Sequence, residues 1–309
     1  MIFDRHAAQF PDVAFLSREI AHRMHERLQY INPQLNRILD AGCGMGEDIA
    51  VLRTRCVQAT IYGVDLSRSM LLGAGHVSDC SNIPRWRRLL LAPLRYFTLG
   101  RVQLRDLVQA DFGELPFAPE YFDLLWSNLA LQWNERLDLV FQEWNRVLKA
   151  DGMMMFSTLG PDTLRELRKA REVADGRESP NMLNFVDMHD YGDMLVANGF
   201  EIPVIDADTL IIMYSSPKSL LADVRRWGTM PRQNRYSDTS CHSISRGTYY
   251  RLIDALEAQR RPDGTIPLTF EVLYGYARKA AANMTHEGYS IIRINEIGHK
   301  LRNPHVSSS

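Results

Sequence analysis

The chain of 309 residues is poor in cysteine, and its cysteines form no pattern. No CxxC pair and no nearby set of histidines accompanies the four of them, Cys43, Cys56, Cys80 and Cys241. A disulfide framework and a structural zinc site both need closer and more regular spacing. We therefore expect neither a disulfide scaffold nor a bound metal, and the usage fits a reducing cytoplasm.

The sequence also lacks an excess of either charge and lacks long apolar runs. Lys and Arg number 36 against 37 Asp and Glu, a net charge of −1, which argues against a dedicated nucleic-acid binder. No run approaches the roughly 18 apolar residues of a membrane helix. The opening MIFDRHAAQF carries charges where a signal peptide needs its apolar core. We expect a soluble, cytoplasmic monomer without a membrane span.

Short apolar runs alternate with amphipathic segments over much of the chain. Such alternation is typical of an α/β fold, in which a parallel sheet carries helices on both faces. One amphipathic segment, 137–152, ends in a glycine that predicts a helix C-cap. The predicted strands lie at 37–44, 61–67, 107–112, 122–131, 152–160, 203–214 and 262–279.

We expect a single domain, 1–309, in which helical and inserted segments surround a cofactor-binding core. Long insertions in an α/β sheet usually form the walls of the site, because they emerge beside the strand ends. The predicted parts are an N-terminal helical lid at 1–34, a core at 35–160, a basic insertion at 74–105, substrate-side helices and last strands at 161–283, and a tail at 284–309.

The most informative motif is the segment DAGCGMG at 40–46, where the first strand meets the first helix of the core. Its alternating glycines let the backbone turn tightly and let a ligand approach closely. A dinucleotide site reads GxGxxG, but position 47 is Glu47, followed by Asp48. Two carboxylates there would repel a pyrophosphate and tolerate a cationic ligand. The motif therefore favours S-adenosylmethionine, and an NAD-dependent oxidoreductase is the weakest hypothesis.

Acidic residues at three successive strand ends support the same cofactor. Asp40 could bind an ammonium group, and Asp65 lies where a carboxylate would hold both ribose hydroxyls. Asp111 could accept a hydrogen bond from an adenine amino group while Phe112 covers the base. The full predicted set of cofactor-binding residues is Asp40, Gly42, Cys43, Gly44, Gly46, Asp65, Leu66, Asp111, Phe112, Asn128 and Leu129.

These residues resemble the class I S-adenosylmethionine-dependent methyltransferases, Rossmann-like enzymes with a seven-stranded sheet whose last strand is antiparallel. Within that class the chain is most similar to the malonyl-acyl-carrier-protein O-methyltransferase family of biotin synthesis. The segments that carry the closer resemblance are FDRHAAQF (3–10), FDLLWSNLALQW (122–133), STLGPDTLRELR (157–168), FVDMHDYGDMLVANGF (185–200) and IPLTFEVLYGYAR (266–278).

The resemblance implies methyl transfer to the free carboxyl of a malonyl thioester, on acyl carrier protein or coenzyme A. The product is the methyl ester that primes pimeloyl synthesis. A carboxylate needs no general base, so we assign no catalytic residue. Phe10 stands where the family usually has a tyrosine. The candidates for positioning the substrate are Phe10, Trp133, Arg5, Arg225 and Arg226.

A basic stretch within the insertion suggests a partner. From Cys80 to Arg105 there is no Asp or Glu, while arginines and large apolar residues alternate. Such a face suits an acidic acyl carrier protein, although an amphipathic cap helix or a membrane-surface helix would share the composition. The arginines assigned to partner binding are Arg85, Arg87, Arg88 and Arg95.

Other readings of the sequence stay open. The same cofactor could serve another acceptor, such as a protein arginine, a quinone-like ring or a different small molecule. The related complex I assembly factors, one of them described as an arginine hydroxylase, share much of the pattern, and a non-enzymatic assembly factor is a further alternative. The His22 and His25 pair lacks the HExxH arrangement of a zinc protease, and we interpret it as part of a solvated helix face.

Overall fold

The structure is a computed structural model of the chain, and it describes residues 14–29, 35–77, 106–176, 185–227 and 245–280. Side chains at 74–77 are not among the described parts. Within the described ranges, no helix combines the length and apolar character needed to cross a membrane.

In the described part of the chain, seven strands form one sheet, in the order β3-β2-β1-β4-β5-β7-β6. All neighbours pair in parallel except β7, which is antiparallel to both β5 and β6. The predicted fold class is therefore confirmed, including the single antiparallel strand. The strand bounds are β1 Arg37–Ala41, β2 Thr60–Asp65, β3 Leu107–Gln109, β4 Phe122–Asn128, β5 Leu148–Leu159, β6 Phe200–Tyr214 and β7 Ile266–Lys279.

Helices cover both faces of the sheet, and each face has its own apolar core. One core joins the sheet to α1, α2, α3, α5, α7 and α8. The other core joins it to α4 and α6. The helices are α1 Phe15–Leu28, α2 Glu47–Arg55, α3 Arg68–Val77, α4 Leu137–Val147, α5 Arg165–Asp175, α6 Met188–Ala197, α7 Pro217–Arg226 and α8 Arg246–Glu257.

The N-terminal helix α1 packs on the sheet through a stripe of residues four apart, Leu16, Ile20, Met24 and Leu28. Residues at this spacing share one face of a helix. Phe15 lies off this stripe: it is 44% exposed and contacts Trp227, with ring centroids 5.7 Å apart.

The predicted glycine C-cap of α4 is wrong. The helix ends at Val147, and Leu148 is already extended (φ −73°, ψ 140°) and pairs with Phe122 as the first residue of β5. Leu148 is fully buried, so leaving the helix early lets it join the core. The left-handed turn falls on Asp151 (φ 61°) instead of on Gly152.

Candidate functional site

The loop that joins β1 to α2 turns through three glycines in the left-handed region: Gly42 (φ 81°), Gly44 (φ 51°) and Gly46 (φ 74°). L-residues with a side chain rarely adopt this conformation. A Cβ added at Gly42 would lie 2.4 Å from the Cβ of Ala130, whereas one added at Gly44 would meet no atom within 4 Å. The loop is therefore packed against the β4 end on one side and has open space at Gly44.

A buried carboxylate lies beneath this loop. Asp40, the fourth residue of β1, is 1% exposed, and its Oδ2 atom has no hydrogen-bond partner. Burial, together with the negative charges of Asp48 and Asp65, holds the pKa of the Asp40 carboxyl well above its ordinary value. A cationic hydrogen-bond donor at this oxygen would stabilise the ionised form of such a buried acid.

Asp65 ends β2 and is fixed from two sides. Its Oδ2 accepts a hydrogen bond from the backbone N–H of Gly44 at 2.8 Å, and its Oδ1 accepts one from Ser67 at 2.7 Å. A carboxylate oxygen can accept a second hydrogen bond, so this anchoring is compatible with binding ribose hydroxyls. The neighbouring Leu66 side chain is 44% exposed, an apolar surface beside the glycine loop.

The third acid, Asp111, follows β3 and is exposed. Its Oδ1 accepts a hydrogen bond from the N–H of Gly113 at 2.8 Å, which closes a tight turn. Phe112 is half-buried, and its carbonyl accepts a hydrogen bond from Nε1 of Trp144 at 3.0 Å. Its ring borders the loop, because one ring atom lies 3.9 Å from where a Cβ of Gly42 would stand.

The end of β4 supplies Asn128 and Leu129. The Asn128 amide nitrogen donates to the Ser17 carbonyl at 3.1 Å and to Asp48 Oδ2 at 3.0 Å, and its oxygen accepts from the Ser157 hydroxyl at 2.7 Å. Leu129 takes a left-handed conformation (φ 50°), and its N–H bonds to Ser157. Asn128 thereby joins α1, α2 and β5 at one point.

The two acids that open α2 are each paired with α1. The Arg18 guanidinium donates two hydrogen bonds to Glu47, at 2.9 and 2.7 Å. His25 Nε2 lies 3.0 Å from Asp48 Oδ1. These contacts attach α1 to the helix that starts at the glycine loop.

The interpretation of the histidine pair as a solvated face is therefore wrong for one of its members. His22 is exposed and forms an ion pair with Glu26, but His25 is 2% exposed, with its ring stacked on Trp126. His25 lies to the side of the apolar stripe of α1, so periodicity does not predict its burial. It is buried because α1 lies against β4 and α2 together.

Three of the five predicted substrate-positioning residues lie in the described part of the chain. Trp133 lies in a short 3₁₀ turn, Leu131–Trp133, after β4. Arg225 and Arg226 are exposed at the end of α7, and Arg226 forms an ion pair with Asp223 of its own helix at 3.4 Å. The other predicted residues lie outside the described parts of the chain: Arg5, Phe10, Arg85, Arg87, Arg88 and Arg95.

The core of the fold matches a known sequence family and a known structure. Residues 39–156 match a family described as "Methyltransferase domain". The YcgJ protein from Bacillus subtilis superposes with a TM-score of 0.54 at 16% identity, over 84% of this chain and 99% of that one. At this level of identity the structural likeness concerns the fold.

Curated relatives are similar over almost the whole chain. A malonyl-[acyl-carrier protein] O-methyltransferase from Laribacter hongkongensis is 40% identical over 281 residues, which cover 91% of this chain and 88% of the relative. The chain belongs to the malonyl-[acyl-carrier protein] O-methyltransferase family. A second member, from Legionella pneumophila, is 37% identical over 290 residues, covering 93% of this chain and 92% of its own length.

Membership of the malonyl-[acyl-carrier protein] O-methyltransferase family confirms the resemblance seen in the sequence. The matches to both relatives extend beyond the methyltransferase core at 39–156. They therefore also include sequence outside the core. The segment IPLTFEVLYGYAR (266–278), which carries part of the closer resemblance, lies in that outer sequence.

Proposed function

We propose that this protein transfers a methyl group from S-adenosylmethionine to the free carboxyl of a malonyl thioester, carried by acyl carrier protein or coenzyme A. The product would be the methyl ester that primes pimeloyl synthesis for biotin. Two relatives named malonyl-[acyl-carrier protein] O-methyltransferase support the substrate class. The assignment of S-adenosylmethionine as the donor rests on Asp40 beneath the glycine loop, whose buried Oδ2 atom has no hydrogen-bond partner.

The described residues fit the methyl donor. Gly44 leaves open space where a ligand can approach the backbone, and Asp40 offers a buried acceptor for an ammonium group. Asp65 would hold the ribose hydroxyls, and Leu66 with Phe112 would offer apolar surface for a base. Acids at this loop disfavour a pyrophosphate, so the same residues argue against a dinucleotide.

When bound, S-adenosylmethionine supplies a methyl group on a cationic sulfur. The chain's own contribution is to bind and orient, because a carboxylic acid with a pKa near ~4 is already ionised at neutral pH. Correct positioning can supply several kcal/mol of the barrier. Helix α1, attached through Arg18 and His25, would also limit the access of water to the loop.

An acceptor that must lose a proton would need an accessible base. The buried His25 does not provide one, because its Nε2 is bonded to Asp48 and its Nδ1 is inaccessible to solvent. Asp40 is likewise buried. Of the described residues, these two therefore offer no accessible base, which a carboxylate acceptor does not require.

The basic stretch at 80–105 supports acyl carrier protein as the natural carrier. Charge reversal at Arg87 and Arg88 should raise the KM for malonyl-carrier protein and leave the KM for a small malonyl thioester unchanged, because only the protein carrier reaches a docking surface. Equal effects on both acceptors would remove the docking proposal.

We also propose that the enzyme acts as a monomer in the cytoplasm. The scattered cysteines support a reducing compartment. Sedimentation equilibrium of the full chain tests the monomer, and a mass of two chains would contradict it.

The function is tested by incubating the protein with S-adenosylmethionine labelled in its methyl group and three acceptors: malonyl-carrier protein, malonyl-coenzyme A and free malonate. Labelled methyl ester should appear on at least one thioester, and Asp40→Asn should reduce the yield. If the protein binds the donor but none of the three acceptors becomes labelled, the proposal of a malonyl thioester as the acceptor is refuted.

A further inference from the structure

The imidazole of His25 is buried where a purely apolar side chain would pack at lower cost. Its ring lies 4.4 Å from the Trp126 ring, at an interplanar angle of 19°. Burying a polar ring costs free energy unless its polar atoms are bonded, and one of its nitrogens has no partner. The ring does make one polar contact, to Asp48. That contact is the feature that needs an explanation.

The contact immobilises a carboxylate. Asp48 Oδ1 is bonded to His25 and Oδ2 to Asn128, at 3.0 Å each. Asn128 is itself fixed by the Ser157 hydroxyl at 2.7 Å. With both oxygens bonded, the Asp48 side chain has one orientation.

The negative charge of Asp48 acts on the pKa of the Asp40 carboxyl. After burial itself, the charge of Asp48 is a cause of the raised pKa of the Asp40 carboxyl. In the register of the sheet Asp40 of β1 is also opposite Trp126 of β4, on which His25 stacks. These side chains therefore form one buried polar cluster under the glycine loop.

The same cluster contains most of the unpartnered polar atoms. Five buried side-chain N or O atoms have no hydrogen-bond partner in the described part of the chain. Three of them are His25 Nδ1, Asp40 Oδ2 and Trp126 Nε1. Buried polar atoms are normally bonded, so their concentration at one place points to a site for a polar ligand group.

We propose that His25 is a positioning residue for donor binding: by bonding Asp48 it fixes a second negative charge beside Asp40, where the donor's ammonium group would bind. The inference rests on the proposed function for the identity of the donor. Through His25, helix α1 would contribute to the donor site without contacting the donor.

The test is calorimetric titration with S-adenosylhomocysteine, which carries the same ammonium group and does not react. His25→Phe keeps an aromatic ring over Trp126 and removes the bond to Asp48. We expect Kd to rise about tenfold or more, the effect of one buried bond to a charged group. His25→Gln, whose amide can still donate to Asp48, should restore most of the affinity. His22→Phe, on the exposed face of the same helix, is the matched control and should bind like the unchanged protein.

A double-mutant cycle separates positioning from general structural damage. If His25 acts through Asp48, then His25→Phe combined with Asp48→Asn should bind no more weakly than Asp48→Asn alone. Additive losses, or an unchanged Kd for His25→Phe, would overturn the inference. Failure of the unchanged protein to bind the ligand would instead refute the proposed donor, so the two failures are distinguishable.

Discussion

Gly42 and Gly44 lie two residues apart in the same loop, and substitution by alanine should have different consequences at each. Both have positive φ, which costs an L-residue about 1–2 kcal/mol. At Gly42 the new Cβ would also stand 2.4 Å from the Cβ of Ala130. Overpacking of that kind costs about 1–3 kcal/mol more. We therefore expect Gly42→Ala to lower the free energy of unfolding by about 2–5 kcal/mol, and Gly44→Ala by only about 1–2 kcal/mol.

The effect of Gly44→Ala on ligand binding should be larger than its small effect on stability would suggest. The Cβ of Gly44→Ala enters the open space at the loop, where the donor would approach, so this variant should lose affinity for S-adenosylhomocysteine while staying folded. Urea unfolding measures stability, and calorimetry measures binding. Equal loss of stability in the two variants would refute the loop geometry, and unchanged binding by Gly44→Ala would refute the assignment of the space to the donor.

Three further substitutions test other parts of the structure. Burial raises the folded-state pKa of Asp40, so ionising this carboxyl above its unfolded-state pKa of about 3.9 destabilises the fold. Asp40→Asn should therefore gain stability relative to the unchanged protein as the pH rises above that value, seen as a growing difference in Tm. A difference in Tm that stays flat with pH would contradict this. Tyr274→Phe removes a buried hydroxyl without a partner, and urea unfolding should show equal or higher stability; a loss above about 1 kcal/mol would contradict this. Glu271→Ala frees the exposed Asp162 N–H, bonded at 2.8 Å after β5. Because water can take the place of the lost acceptor, the cost should be only about 0.5–1.5 kcal/mol in the same assay, and no loss would mean that the bond is dispensable.

The fold and the loop acids were predictable because their signals are local. A buried strand that ends in glycines shows in consecutive residues, and the carboxyl ends of parallel strands meet at one edge of a sheet. The positions of Asp40 and Asp65 at the ends of β1 and β2 could therefore be predicted. The structure adds what those residues contact: Asp65 bonds to the loop at Gly44, and Asp40 is buried without a partner for one oxygen.

The helical segment at the start of the chain was predictable, but the contacts of α1 were not. His25 contacts Asp48 and Trp126, which are distant in sequence, and its position beside the apolar stripe gives no periodic signal. The end of α4 was misjudged for a related reason. Gly152 is a local stop signal, but the burial of Leu148 against the sheet ends the helix earlier. In both cases tertiary packing outweighs the local pattern.

The most direct test of the account is the affinity of the unchanged protein for S-adenosylhomocysteine compared with NAD⁺, measured by calorimetry. We predict clear binding of the nucleoside, weakened at least tenfold by Asp40→Asn because a buried ion pair loses its anion, and no heat from NAD⁺. Binding of NAD⁺ in place of the nucleoside would contradict the account at its base.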